Sequence, residues 1–202
     1  MQPGAIVHHQ EDYLAALGRA IALGQNFENN CKFVFGVHDL GEAFAAKKID
    51  MKDLQAYGKK LMNRSLGGAL TGREKDRAFK KQVVVLEAAR LARNYLAHEA
   101  AGPALYVPPM GGKHKLRDLL LKTVDRRKIE DERHEMVVSF LHKKLPRFEK
   151  AVRDLAEGDN IVSKWRYIIQ EKDAHMPSIA EHYVDDAVEW VLEPMRPLSR
   201  SI

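Results

Sequence analysis

Apolar residues in this chain recur three or four positions apart almost from end to end, and nowhere do they alternate in the manner of a strand. Leu14, Leu17 and Ile21 begin the pattern, and Phe27, Cys31 and Val34 continue it. That spacing stacks apolar side chains on one side of a helix, whereas a half-buried strand needs a period of two. No internal repeat or low-complexity tract interrupts it. The fold expected is an all-α helical bundle. A chain of 202 residues is long enough for one buried core. We read residues 1–202 as a single helical domain, with a core over 10–157 and a C-terminal helical extension over 158–202.

Local signals divide the pattern. The first helix is expected over about residues 10–44. Asp50 and Asp53 then provide an N-cap and acidic support for a second helix with the stripe Leu54, Tyr57 and Leu61. "SLGGALTG" should end it, with Gly67 and Gly68 as breakers. Thr71 and Glu74 have capping-box spacing, which predicts a long helix running to Ala100, about 42 Å at 1.5 Å per residue. "AGPALYVPPMGGKHK" cannot continue that helix, and its Pro and Gly content makes it a loop. Beyond it we expect a short helix at "LRDLLLKTV" and a charged helix that Pro146 breaks or restarts. "EGDN" at 157–160 reads as a turn. Ser178 and Glu181 repeat the capping-box pattern before a last helix bearing Tyr183, Ala187 and Trp190, which Pro194 stops. Trp165 and Trp190 read as core anchors.

Charge and cysteine usage bear on partners. Lys and Arg number 33 against 28 Asp and Glu, a formal charge of +5 that mildly favours a polyanion such as RNA. No apolar run approaches the roughly 18 residues a membrane helix needs, so no membrane partner is expected. The N-terminal "MQPGAIVHHQEDYL" has neither a basic start nor an apolar stretch of secretory type. Cys31 is the only cysteine, which fits a reducing compartment, and a cytoplasmic location is the expectation. "HEMVV" from His134 lacks the second His of a zinc-protease helix. We expect neither a metal nor any other cofactor.

One stretch departs from an ordinary amphipathic ladder. "LARNYLAHEA" plants Arg93, Asn94 and His98 near the end of the long helix. At 100° per residue, Arg90, Asn94 and His98 stack one turn above another and Arg93 flanks them. The expected core face carries Val84, Val85, Ala88, Ala89, Leu91, Ala92, Tyr95 and Leu96. Phe79, Val83 and Leu86 form a second apolar side that another helix, or a second copy of the chain, would cover. Near neutral pH an imidazole can give or take a proton, and a guanidinium can grip a phosphate in two places. An amide can orient either one. RNA carries its own nucleophile in the 2′-OH. Lys113, His114 and Lys115, after the Gly/Pro loop, are further candidate contacts to phosphates, with a solvated loop as the alternative.

"RNYLAH" resembles the signature of the HEPN superfamily, all-α ribonucleases and their inactive relatives: Arg, a polar residue, a short spacer and His, late in a long helix. "LGQNFENNCKFV" resembles the family's first helix and "SLGGALTG" the segment before its motif helix, so the likeness spans roughly residues 10–100. The spacing alone also fits Arg127 and His134, but those lie in a stretch charged on every side. The resemblance implies a metal-independent endoribonuclease that works as a homodimer, its two motifs converging in one cleft. Attack by the 2′-OH would leave a 2′,3′-cyclic phosphate. His98 would transfer the proton, Arg93 would bind the scissile phosphate and Asn94 would orient one or the other. Arg90 is added as a substrate contact from its place one turn earlier. Such nucleases are often toxins or phage-defence components held in check by an antitoxin or other regulatory partner. Glu99 departs from the pattern, since many relatives carry a small residue there. Two other classes stay open: an inactive HEPN module that binds RNA or a partner protein, and a structural helical adaptor.

Overall fold

The computed structural model describes residues 4–76, 79–100, 126–172 and 182–195, and among them every regular element is a helix. Six α-helices, α1 (Gly4–Ala45), α2 (Leu54–Met62), α3 (Leu66–Leu70), α4 (Val83–His98), α5 (Arg126–Glu171) and α6 (Tyr183–Leu192), pack as an all-α bundle. Short 3₁₀ turns occupy Arg73–Lys75 and Glu193–Met195. The long helices α1 and α5 form the frame, and α4 and α6 each pack against both. No described helix is long and apolar enough to cross a membrane.

The core follows the apolar stripes. Tyr13, Phe27 and Phe35 of α1, Leu86 and Leu96 of α4, and Phe148, Val152 and Leu155 of α5 are essentially without solvent contact. Phe35, Phe79 and Trp165 form a ring cluster, with Phe79 centred 4.9 Å from each of the other two in edge-on geometry. Trp190 is 46% exposed rather than a core anchor, and the Arg19 guanidinium lies 5.5 Å from its ring centre. The same Arg19 donates to the Trp190 carbonyl and pairs with Glu193, both at 2.6 Å, fastening α6 to α1.

Several sequence expectations are corrected. Gly67 and Gly68 do not break a helix. They lie inside α3, whose N-cap Ser65 accepts the Gly68 N–H at 3.1 Å. Thr71 does not open the motif helix, because its hydroxyl donates back to the Gly67 carbonyl at 2.9 Å and Gly72 turns left-handed at φ +83°. The motif helix therefore starts at Val83, and its 16 residues span about 24 Å. Asp53 sits at the N-cap of α2 without capping it, and the Asp50 carboxylate instead accepts the N–H groups of Lys52 and Asp53.

Pro146 and "EGDN" also lie within α5 rather than ending it. An interior proline costs about 3 kcal/mol, and burial of Phe148, Val152 and Leu155 just beyond it offsets that cost. Gly158 is required by packing, since a Cβ there would sit 2.3 Å from the Ala89 Cβ and 3.1 Å from the Phe27 ring. Three helices meet at that glycine. Residues 157 and 158, the boundary expected between core and extension, are consecutive residues of this one helix. The Gly/Pro segment, with Lys113, His114 and Lys115, and the Ser178–Glu181 box lie outside the described residues.

Candidate functional site at the end of α4

The buried stripe of α4 is Leu86, Ala89, Ala92, Tyr95 and Leu96. It is turned relative to the sequence expectation. Val84 and Leu91, expected in the core, are 77% and 59% exposed. Conversely Phe79 and Leu86 are buried in this chain's own core, with Val83 packed against it, so that side is already covered without a second copy. The open face of α4 is the one bearing Val84, Leu91 and His98, seven residues apart. The helix ends at His98, where Glu99 caps it by donating its N–H to the Tyr95 carbonyl at 2.8 Å. The Tyr13 hydroxyl, from α1, donates to the Ala100 carbonyl at 2.8 Å and fixes where this end points.

Arg93 does not stand free. Its guanidinium pairs with Glu28 of α1 at 2.6 Å, and Glu28 also takes a hydrogen bond from Lys32 at 2.8 Å. Both members of the pair are mostly shielded, at 28% and 19% exposure. The Arg93 stem lies on Gly24, where a Cβ would come within 3.2 Å of its Cγ. Burial alone would raise the Glu28 pKa, but the Lys32 hydrogen bond and the Arg93 and Lys32 charges outweigh it and hold the carboxyl below its usual range. A looser contact of 3.4 Å joins Arg93 to the Asn94 amide oxygen. Arg90 pairs with Glu87 on its own helix, 2.7 Å from Nε.

His98 is exposed, and Asn94 is half-buried one turn below it. Helical geometry puts Arg90, Asn94 and His98 within about 80° of one another, while Arg93 and His98 differ by about 140°. Within one chain, then, the arginine of the motif faces α1 and the histidine faces solvent. Glu99 does not turn toward Arg93. It pairs with Arg147 of α5 at 3.0 Å, and that guanidinium lies 4.1 Å from the Tyr95 ring centre. The Tyr95 hydroxyl is buried, with no hydrogen-bond partner among the described residues.

Sequence reasoning passed over Glu28 and Lys32. The signal was present: two charged residues one turn apart on a helix, interleaved with Phe27 and Cys31, which are fully buried. It also missed a polar cage between α1, α5 and α6. Asp159 has no solvent exposure and accepts from Asn26 at 2.9 Å, from Asn30 at 3.0 Å and from the Tyr183 hydroxyl. Asn30 is held in turn by Arg166 at 2.7 Å. Burial raises the Asp159 pKa, although hydrogen bonds from Tyr183, Asn30, Asn26 and Ser163 counter part of that shift. Tyr183 brings α6 into the cage, which makes it a clasp for that helix. Among the described residues, no group of three His, Cys, Asp or Glu side chains is arranged to hold a metal ion. No protein-family model matches the chain, and neither a curated protein nor a solved structure shows significant similarity to it.

Proposed function

We propose that the chain is a metal-independent endoribonuclease of HEPN type, acting at the C-terminal end of α4. The observation that carries this reading is an accessible imidazole, His98, above an amide, Asn94, on a helix end that Tyr13 fixes in place. In the reaction His98 takes the proton from a ribose 2′-OH and the 2′-oxygen bonds to the adjacent phosphorus. The bond from phosphorus to the 5′-oxygen then breaks, and the proton held by His98 is available to the departing oxygen. The products are a 2′,3′-cyclic phosphate and a 5′-hydroxyl. Asn94 orients the imidazole or the phosphate, and Arg90 offers a further contact along the same face.

A second copy would complete the cleft. Val84 and Leu91 leave an apolar strip on the same face as His98, and a homodimer closing on that strip would set two α4 ends against each other. Arg93, on the far side of α4 from that strip, would act by holding the α4 end in place through its pair with Glu28. An antitoxin or other regulatory partner, and a role as a toxin or phage-defence component, belong to the same proposal. Growth arrest on expression in bacteria, lost with His98→Ala, would support it.

A second reading has its own observation. The Arg93 guanidinium is already matched by Glu28 at 2.6 Å, which favours a module that binds RNA or a partner protein without cutting. Incubating a mixed-sequence single-stranded RNA with wild type, Arg93→Ala and His98→Ala in excess EDTA separates the two. The ribonuclease reading expects cleavage by wild type that both variants lose. Binding that is indifferent to His98→Ala, with no cleavage by wild type, would establish the module instead.

A further inference from the structure

Around α4 the Glu99–Arg147 pair lies nearer to His98 than Arg93 does. Tyr95 and Glu99, the two residues that hold Arg147, lie within about 60° and 100° of His98 around the helix, and within one turn of it along the axis. Arg93 is turned away by about 140° and is tied to Glu28. We infer that Arg147 is a substrate-binding residue, the guanidinium that receives a phosphate of the RNA beside His98. Glu99 holds its place in the free protein. This inference rests on the ribonuclease reading and adds to it a residue from outside the motif.

Three observations converge. First, a helix C-terminus carries partial negative charge and Glu99 adds a full one, so a phosphate can settle beside His98 only if a cation is supplied there. α5 supplies it. Second, the guanidinium is preorganised, stacked 4.1 Å from the Tyr95 ring centre, so little conformational freedom is lost when it takes a ligand. Third, the pair is open to water, at 55% exposure for Arg147 and 59% for Glu99. Exposed pairs are weak and screened. A phosphodiester, which can accept two parallel N–H bonds from the guanidinium, can replace the Glu99 carboxylate without opening the core. Lys143 and Lys144, one turn earlier on α5, extend the same basic strip along the path of a single strand.

The test uses a fluorescently labelled single-stranded RNA with the full-length protein. Affinity is measured over a series of salt concentrations in a His98→Ala background that cannot cut, and cleavage is measured with His98 present. Arg147→Ala should lower kcat/KM about tenfold or more and reduce the slope of log affinity against log salt by about 0.7, one phosphate contact on a single strand. Arg147→Lys should restore the salt slope but only part of the cleavage. Glu99→Gln should tighten binding a few-fold by releasing Arg147. Unchanged melting of each variant guards against misfolding. If Arg147→Ala leaves affinity, slope and cleavage as in wild type while His98→Ala abolishes cutting, Arg147 is not a phosphate ligand and the ribonuclease reading stands alone. If wild type neither binds nor cuts RNA, both are overturned.

Discussion

The two flanks of α4 carry the same kind of ion pair in opposite surroundings. On the α1 side, Arg93 and Glu28 meet at 2.6 Å with 28% and 19% exposure, and the Arg93 stem lies on Gly24. On the α5 side, Arg147 and Glu99 meet at 3.0 Å with 55% and 59% exposure. Shielding makes the first pair a structural clamp, since removing one partner strands a charge in a poorly solvated place. Exposure makes the second pair exchangeable, because water and salt already compete for both groups. One helix therefore presents an anchored edge and an adaptable edge, and His98 belongs to the adaptable one.

Substitutions can break or sharpen that contrast. The largest effect on folding is expected from Gly158→Ala, whose Cβ would meet the Ala89 Cβ at 2.3 Å with no flexible side chain to give way. We expect a loss of about 3 kcal/mol in denaturant unfolding, and a loss below about 1 kcal/mol would mean the anchored side is looser than drawn. Next comes Glu28→Ala, expected to cost about 2 kcal/mol by leaving Arg93 unmatched. Glu99→Ala should cost less than about 1 kcal/mol, so equal losses from the two would erase the distinction between the flanks.

Acid titration gives a further test with a definite sign. The Glu28 and Asp39 pKa values are held below their ordinary range, Glu28 by Lys32 and Arg93 and Asp39 by Arg73 and Arg64, in each case against the effect of burial. A lowered folded pKa gives stability that is present above the ordinary value and lost as pH falls through the folded one. Unfolding midpoints should therefore drop as pH is taken below about 4, and Glu28→Gln should flatten part of that drop. Asp159 acts in the other direction. Its pKa is raised by burial, so its contribution is greatest when protonated and declines as pH rises through the folded value. The smallest effect on folding is expected from Leu91→Glu, because Leu91 is 59% exposed. It should leave the monomer's melting almost unchanged while dissociating any dimer in sedimentation. A dimer that survives it would remove this face as the interface.

What was legible in the sequence was periodic. The helical class and the position of His98 at a helix end follow from spacing and from the Gly/Pro segment after Ala100. What was not legible depended on distant partners. Gly158 and Asp159 look like turn residues because their local chemistry is that of a turn. In the fold the glycine lets α4 and α1 approach, and the aspartate gathers donors from α1 and α6. An angular plot of α4 shows two apolar sides that both need a cover but not what covers each: Val84 and Leu91, on the expected core face, are exposed, and Phe79 and Leu86, on the second side, are buried by this chain itself. Arg93 likewise finds its partner 65 positions away in the chain, beyond any local pattern.

The measurement that most directly tests the open end of α4 as a site of RNA chemistry is the terminal group on the products of cleavage in excess EDTA. Our account predicts a 2′,3′-cyclic phosphate from wild type, no product from His98→Ala, and no cutting of an RNA whose 2′-hydroxyls are methylated. Cleavage of the methylated strand, or full activity in His98→Ala, would contradict it.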